Sequence, residues 1–252
     1  MTLGFHEKGE GPVLLLIHGF PLDATMWTAQ LEGLSDTRRV VAVDLPGRGA
    51  SSHISPDGAT VDSFADAVAE TIESLGEDQV DLAGLSMGGY VAFAFLRRHS
   101  AKVRSLALID TKADEDPAEA KEGRTKMAEE VLRSGMGPLV EGLLPKLIAP
   151  GTGEGVKAAV AKMFENTPPP TAAADAGVMR DRPDSNADLG SISVPTIVIH
   201  GAEDALIPPD IARKMSDAIP GARFVAIEKA GHLSPIENPE GVNTVLRDFL
   251  TV

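Results

Sequence analysis

An α/β fold with a mainly parallel, twisted sheet flanked by helices is predicted by three observations. Short apolar runs recur along the chain and end on glycine or proline turns. Segments with helical spacing of apolar residues stand between them. The length, 252 residues, suits one large α/β domain with a substantial core.

The elements follow in order. "VLLLIHG" (13–19) reads as a buried strand closed by glycine. Trp27 opens an amphipathic helix, "WTAQLEGL", which assigns it to core packing. "RRVVAVDLPGRG" (38–49) is a second strand running into a turn. Val61, Phe64, Ala65, Val68, Ile72 and Leu75 mark a helix over 61–75. "QVDLAGL" (79–85) is a third strand, with a helix from Gly88 to about Arg98 behind it. "VRSLALID" (103–110), "VPTIVIHG" (194–201) and "ARFVAIE" (222–228) complete six strands. Helices fall near Pro209–Ala218 and Pro239–Leu250, and strand–helix alternation of this kind builds a parallel sheet.

Residues 112–190 break the alternation. They hold charged helical segments, a "TPPPT" turn and a polar loop, and no strand pattern. The expected division is a core of 1–111 and 191–252 with a helical lid, 112–190, inserted between two strands. The charges of 112–130 form a solvated face with i to i+4 pairs. Met127, Leu132, Met136, Leu139, Leu143 and Leu144 recur at spacings suited to an inward face. Arg124, Arg133 and Arg180 have no direction that the pattern fixes.

The bulk numbers exclude several function classes. The net charge is -14, which repels nucleic acid and anionic lipid surfaces. "VLLLI" is far too short to span a bilayer. There are no cysteines, so disulfides, thiolate metal sites and a cysteine nucleophile are ruled out. No basic segment with an apolar stretch and cleavage site opens the sequence. The expectation is a cytoplasmic protein with no nucleic-acid or membrane partner. The oligomeric state is not readable.

"LAGLSMGGYV" (82–91) sets Ser86 between two glycines in a strand-to-helix turn. The G-x-S-x-G pattern is weak by itself and gains weight from this context. Gly84 and Gly88 remove side chains that would crowd the serine, and Gly89 eases the start of the helix. The turn lifts the hydroxyl above the sheet edge, beside amides suited to a developing oxyanion. A serine hydroxyl needs a base, and the base needs an acid to hold its tautomer. Of six histidines, His6 and His53 lie in polar segments, His99 at a helix end, and His18 and His200 before strand-end glycines. His232, in "KAGHLSPIENP", follows the sixth strand, at the sheet edge where such folds place chemistry. The acid candidates are Asp204, Glu203 and Asp110. Asp204 completes the chain order serine, acid, histidine.

The chain resembles the α/β-hydrolase fold superfamily, close to small bacterial carboxylesterases and cofactor-free haloperoxidases or perhydrolases. The resemblance rests on "HGFPLDATMW" (18–27), "DLPGRGAS" (44–51), "GLSMG" (84–88), "HGAEDALIP" (200–208) and "AGHLSPIENP" (230–239). It implies Ser86 as nucleophile, Asp204 as acid and His232 as base. It also implies an oxyanion hole from the Phe20 and Met87 amides, with His18-Gly19 shaping the turn that aims the first. "DLPGRGAS" is read as a packing and turning element. Pro21 follows Phe20, as a proline does in the resembled perhydrolases, and biases where the Phe20 carbonyl points. That implies peracid formation as a side activity.

The expected reaction is hydrolysis of small or medium acyl esters through an acyl-enzyme, with no metal and no cofactor. Pro21, Met136, Leu139 and Leu143 are the expected substrate contacts. Lactone hydrolysis, C–C bond hydrolysis and thioester cleavage stay open within the fold. Haloalkane dehalogenation is disfavoured, because in this fold it needs a carboxylate at position 86. A small-molecule receptor on a hydrolase scaffold is the alternative from another class.

Overall fold

The structure, a computed structural model, describes residues 2–51 and 58–251. Its strands are β1 (Phe5–Lys8), β2 (Val13–Ile17), β3 (Arg39–Val43), β4 (Val80–Leu85), β5 (Val103–Ile109), β6 (Thr196–Gly201) and β7 (Arg223–Ile227). The helices are α1 (Thr28–Leu34), α2 (Val61–Ser74), α3 (Met87–His99), α4 (Ala118–Ser134), α5 (Gly137–Leu147), α6 (Glu154–Asn166), α7 (Pro169–Asp181), α8 (Pro209–Ala218), α9 (Ser234–Glu237) and α10 (Pro239–Leu250). The strands form one sheet in the order β1-β3-β2-β4-β5-β6-β7. Every neighbouring pair is parallel except β1 and β3.

The apolar runs are unbroken because both sheet faces are covered. In β2, Leu15 and Ile17 join the core beneath α2 and α3. Leu14 and Leu16 join a second core with Trp27, Leu34 of α1 and Leu246 of α10. This two-residue alternation runs through β3 and β5 as well. Each fully buried Leu, Ile or Val contributes about 1.5–3 kcal/mol. Trp27 has no exposed surface and is a packing residue. It ends a 3-10 turn, Ala24–Trp27, so α1 itself begins at Thr28.

Two elements had no sequence signal. β1 is a polar edge strand, "FHEK", mostly exposed and paired only with β3. It takes up the segment around His6 that read only as a polar stretch. α9 is four residues long, too short for a periodic pattern. "TPPPT" closes α6 at Thr167 and opens α7 at Pro169, where proline suits the first helical turn. His53 lies outside the described residues.

The inserted helices α4–α7 lie between β5 and β6 in the chain. α4 is rich in charge and buries only Val131. Lys126–Glu122 at 2.6 Å is an exposed i to i+4 pair, and Arg133 pairs with Glu130. Such pairs contribute little stability. Leu132, expected on an inward face, is 60% exposed; Val131 is the buried residue of this turn. α7 is fastened to the sheet domain instead. Thr167 Oγ1 donates to Pro21 O at 2.6 Å and Thr171 Oγ1 to Gly47 O at 3.1 Å. Arg48 forms a buried ion pair with Asp175. "DLPGRGAS" thus turns and anchors: Asp44 accepts from the Ala24 amide at 2.9 Å, and Arg48 holds α7.

Candidate active site

Ser86 sits between β4 and α3 with φ 52 and ψ -111. For a non-glycine residue this costs on the order of 1–3 kcal/mol, and the neighbours enforce it. A Cβ on Gly84 would lie 2.3 Å from Gly88 O, and one on Gly88 2.3 Å from Ile17 O. Strand, turn and helix therefore touch backbone to backbone. Thr111 Oγ1 donates to Ser86 O at 2.8 Å and pins the apex.

Asp204 stands in the turn after β6, and His232 between β7 and α9. A Cβ on Gly201 would lie 1.8 Å from Gly231 O, so only glycine lets the two segments meet. Ser86 Oγ donates to His232 Nε2 at 2.8 Å, and His232 Nδ1 donates to Asp204 Oδ2 at 2.7 Å. The carboxylate can only accept, so it fixes the proton on Nδ1 and leaves Nε2 as an acceptor facing the Ser86 hydroxyl. The three expected triad residues are thus brought into one hydrogen-bonded line. The amides of Phe20 and Met87 have no acceptor among the described residues. Met87 opens α3, where an unpaired amide is the rule.

The surroundings hold this line in place. Asp204 Oδ1 accepts from the amides of Leu206 and Ile207 at 2.8 and 2.9 Å. His200 Nε2 stands 3.0 Å from Asp204 Oδ2 and 2.8 Å from Ile207 O. Burial alone would raise the Asp204 carboxyl. The hydrogen bonds from His200 and His232 outweigh it and hold Asp204 well below the usual carboxylate range. Burial works against charge on His200 too, but Asp204 and Asp110 raise it overall. Glu237 binds the His232 loop on both sides, accepting from Gly231 N at 2.9 Å and Leu233 N at 3.2 Å. Its other oxygen accepts from Ala149 N at 2.7 Å, and His232 N donates to Leu147 O at 2.8 Å. The inserted helices therefore help to seat the histidine.

The rival candidates go elsewhere. Glu203 is exposed. Asp110 accepts from Gly201 N at 2.8 Å and from Ser234 N and Oγ at 3.0 and 2.7 Å, so it ties β5 to the two loops. Asp110, His200 and Asp204 converge closely enough to suggest a metal group. Their carboxylate oxygens already face N–H and O–H donors, which makes the cluster a hydrogen-bond network. His18 accepts from Leu45 N at 3.0 Å, and its Nδ1 faces Gly19 O. Burial and nearby Arg48 push its pKa far down, so it is a neutral turn residue.

Burial raises the Asp110 carboxyl to about 6, against the pull of His200 and His232. An unfolded aspartate titrates near ~3.9. Between these values the folded chain keeps a proton that the unfolded chain has lost. The stability from this group is therefore greatest below pH ~4, falls up to pH ~6 and is level above. The stability of wild type minus that of Asp110→Asn is expected to drop on the order of 2–3 kcal/mol from pH 4 to pH 7. Urea unfolding at both pH values measures it. A difference that stays flat removes Asp110 as the titrating group.

Ser86 and His232 open on a cavity of about 200 Å³. Phe20, Tyr90, Leu143, Leu147, Met179 and Ile207 give it apolar walls. Of the expected substrate contacts, Leu143 lines it. Pro21, Met136 and Leu139 do not. Met136 and Leu139 pack into the core with Val131, and Pro21 is turned to Thr167. Helical spacing marked a buried face correctly but could not say what it faces. Lys112, Asp116 and Arg124 also line the cavity. Arg124 thus points inward, whereas Arg133 is exposed and Arg180 pairs with Asp181 at 2.7 Å.

Fold and site together define the class. The chain belongs to the alpha/beta hydrolase fold family, whose model matches residues 12–239. It is similar to a solved thermophilic esterase from Thermogutta terrifontis, described with malate bound. That protein is 43% identical with a TM-score of 0.96, over 99% of this chain and 93% of the other. An enol-lactonase from Burkholderia xenovorans LB400 is 28% identical with a TM-score of 0.91, over 99% and 96% of the two chains. The pimeloyl-[acyl-carrier protein] methyl ester esterase of Neisseria meningitidis serogroup C is 30% identical, covering 93% of this chain and 92% of that protein. No helix among the described residues is long and apolar enough to cross a membrane.

Proposed function

We propose that the chain is a serine carboxylesterase that hydrolyses short-acyl esters through an acyl-enzyme on Ser86. The observation that carries this reading is the Ser86–His232–Asp204 line opening on a cavity of about 200 Å³. His232 Nε2 takes the Ser86 proton as Oγ attacks the ester carbonyl. The negative oxygen is received by the Phe20 and Met87 amides. His232 then protonates the departing alcohol. Water enters, gives a proton to the same nitrogen and bonds to the acyl carbon; the Ser86 Oγ–carbon bond then breaks, Oγ takes that proton back from His232, and the acid leaves. The names of the similar proteins, two esterases and a lactonase, support attack on an ester carbonyl.

A cavity of about 200 Å³ walled by Leu143 and Leu147 beside Ser86 favours a short acyl group. In a panel of p-nitrophenyl esters, acetate to butyrate are expected to exceed octanoate at least about tenfold in kcat/KM. Leu143→Ala is expected to move the optimum to longer chains. A wild-type optimum at octanoate or beyond would refute the size argument.

Peracid formation is a side reaction of the same reading, favoured by Pro21 directly after Phe20. A hydrogen bond from peroxide to the Phe20 carbonyl in that transition state is worth about 1–2 kcal/mol, roughly 5- to 30-fold. Pro21→Leu is expected to lower the ratio of perhydrolysis to hydrolysis by that factor. An unchanged ratio leaves Pro21 as a turn residue only.

A further inference from the structure

We propose that Lys112 and Arg124 form a carboxylate-binding site in the active-site cavity, so that the ester taken by this chain carries a free carboxylate. The proposal rests on the esterase reading and names its substrate class.

The chain carries a net charge of -14, yet the charged groups on the cavity wall run the other way. Lys112 and Arg124 are cationic there and Asp116 is the one anionic lining residue, which leaves one net positive charge. Asp116 is already engaged on both oxygens. Its Oδ2 accepts from Arg124 Nε at 3.0 Å and its Oδ1 from Arg182 Nη2 at 2.8 Å. Arg182 is buried behind the wall, 4.1 Å above the Tyr90 ring. The single carboxylate is therefore shared by two guanidiniums, and it reaches Lys112 only at longer range, with no hydrogen bond or ion pair between them.

Lys112 has no ion-pair or hydrogen-bond partner among the described residues, and neither do the two terminal nitrogens of Arg124. Both side chains are half-buried, so water solvates them only in part. Burial, and then repulsion from Arg182, lower the Lys112 pKa against the pull of Asp116 and Asp114. An anion placed between Lys112 and Arg124 offsets both, because an opposite charge favours the protonated lysine. A lysine that served only solubility would not stand on the wall that holds Ser86 and His232. Lys112 and Asp116 also line a wider groove of about 900 Å³ that contains none of the triad, so the cation stands where the two spaces meet.

A carboxylate fits this arrangement in chemistry and in size. Guanidinium and ammonium give short, charge-assisted hydrogen bonds to carboxylate oxygens. The apolar walls accept the short methylene chain of a small half-ester. The surroundings are only partly buried, so the preference is expected to weaken with salt.

Two isosteric ester pairs test the site. Monomethyl glutarate is compared with methyl 5-oxohexanoate, which places a carboxylate or a ketone in the acyl half. Acetoxyacetate is compared with acetoxyacetone, which does the same in the alcohol half. The charged member of one pair is expected to win by about tenfold or more in kcat/KM, and that pair identifies the half recognised. Lys112→Met is expected to reduce the charged-to-neutral ratio by about tenfold, and Lys112→Arg to keep most of it. The ratio within one variant cancels losses common to both substrates. Neutral members that match or beat their charged partners in both pairs overturn the proposal. If wild type turns over none of the four, the esterase reading fails, and glutarate binding to Ser86→Ala by calorimetry still reads the site. Binding weakened about tenfold by Lys112→Met upholds it; absence of binding, or binding indifferent to Lys112→Met, overturns it.

Discussion

Ser86→Ala is expected to remove ester turnover by roughly 10³- to 10⁶-fold while leaving the fold in place. The hydroxyl is the one group at the turn that can bond covalently to the acyl carbon. His232 Nε2 lies 2.8 Å from it and has no other oxygen to deprotonate. Alanine keeps the same backbone, and the elbow is enforced by Gly84, Gly88 and the bond from Thr111 to Ser86 O, none of which the substitution touches. What remains is the slow background from a bound ester facing the two amides. A fluorophosphonate should add one label to wild type and none to Ser86→Ala, read by intact mass. A label that persists in the variant would place the nucleophile elsewhere.

The sequence carried this site unusually far because the hydrogen-bonded line and local chain rules coincide there. Ser86, Asp204 and His232 each follow a strand that is apolar on both faces, and each stands near a glycine that lets two backbones touch. Those are short-range signals. β1 was invisible because an exposed edge strand needs no apolar residues. Glu237 stood in a quoted motif with no role, since its four donors come from Ala149, Thr152, Gly231 and Leu233, and nothing in the chain order announces that they converge. Lys112 was hidden for the opposite reason. It opens a charged run, and a charged run reads as a solvated face. Only the fold reveals that this one lysine stands on the active-site wall while Lys126 of the same run is exposed. Met136 and Leu139 show the limit of periodicity: it places a side chain inside, without naming its neighbour.

Asp204→Asn is expected to lower kcat by about 10³- to 10⁴-fold, far more than Asp110→Asn or Glu203→Gln. Every partner of the Asp204 carboxylate is a donor. His232 Nδ1 and His200 Nε2 converge on Oδ2, and the Leu206 and Ile207 amides converge on Oδ1. An asparagine must turn its NH₂ toward one of these pairs. Facing the histidines, the NH₂ drives the His232 proton from Nδ1 to Nε2, which destroys the base. Facing the amides, it sets donor against donor and opens the turn that carries it. Neither orientation restores the arrangement. Asp110 contacts no atom of the His232 ring in the hydrogen-bond network, so its loss is felt as loop stability and not as a wrong tautomer. Glu203 is exposed, and its amide should be within about twofold of wild type. The comparison uses kcat per folded chain, with the folded fraction of each variant read by circular dichroism, so that misfolded protein does not count. A larger loss in Asp110→Asn than in Asp204→Asn, on that footing, would transfer the role of the acid to the end of β5.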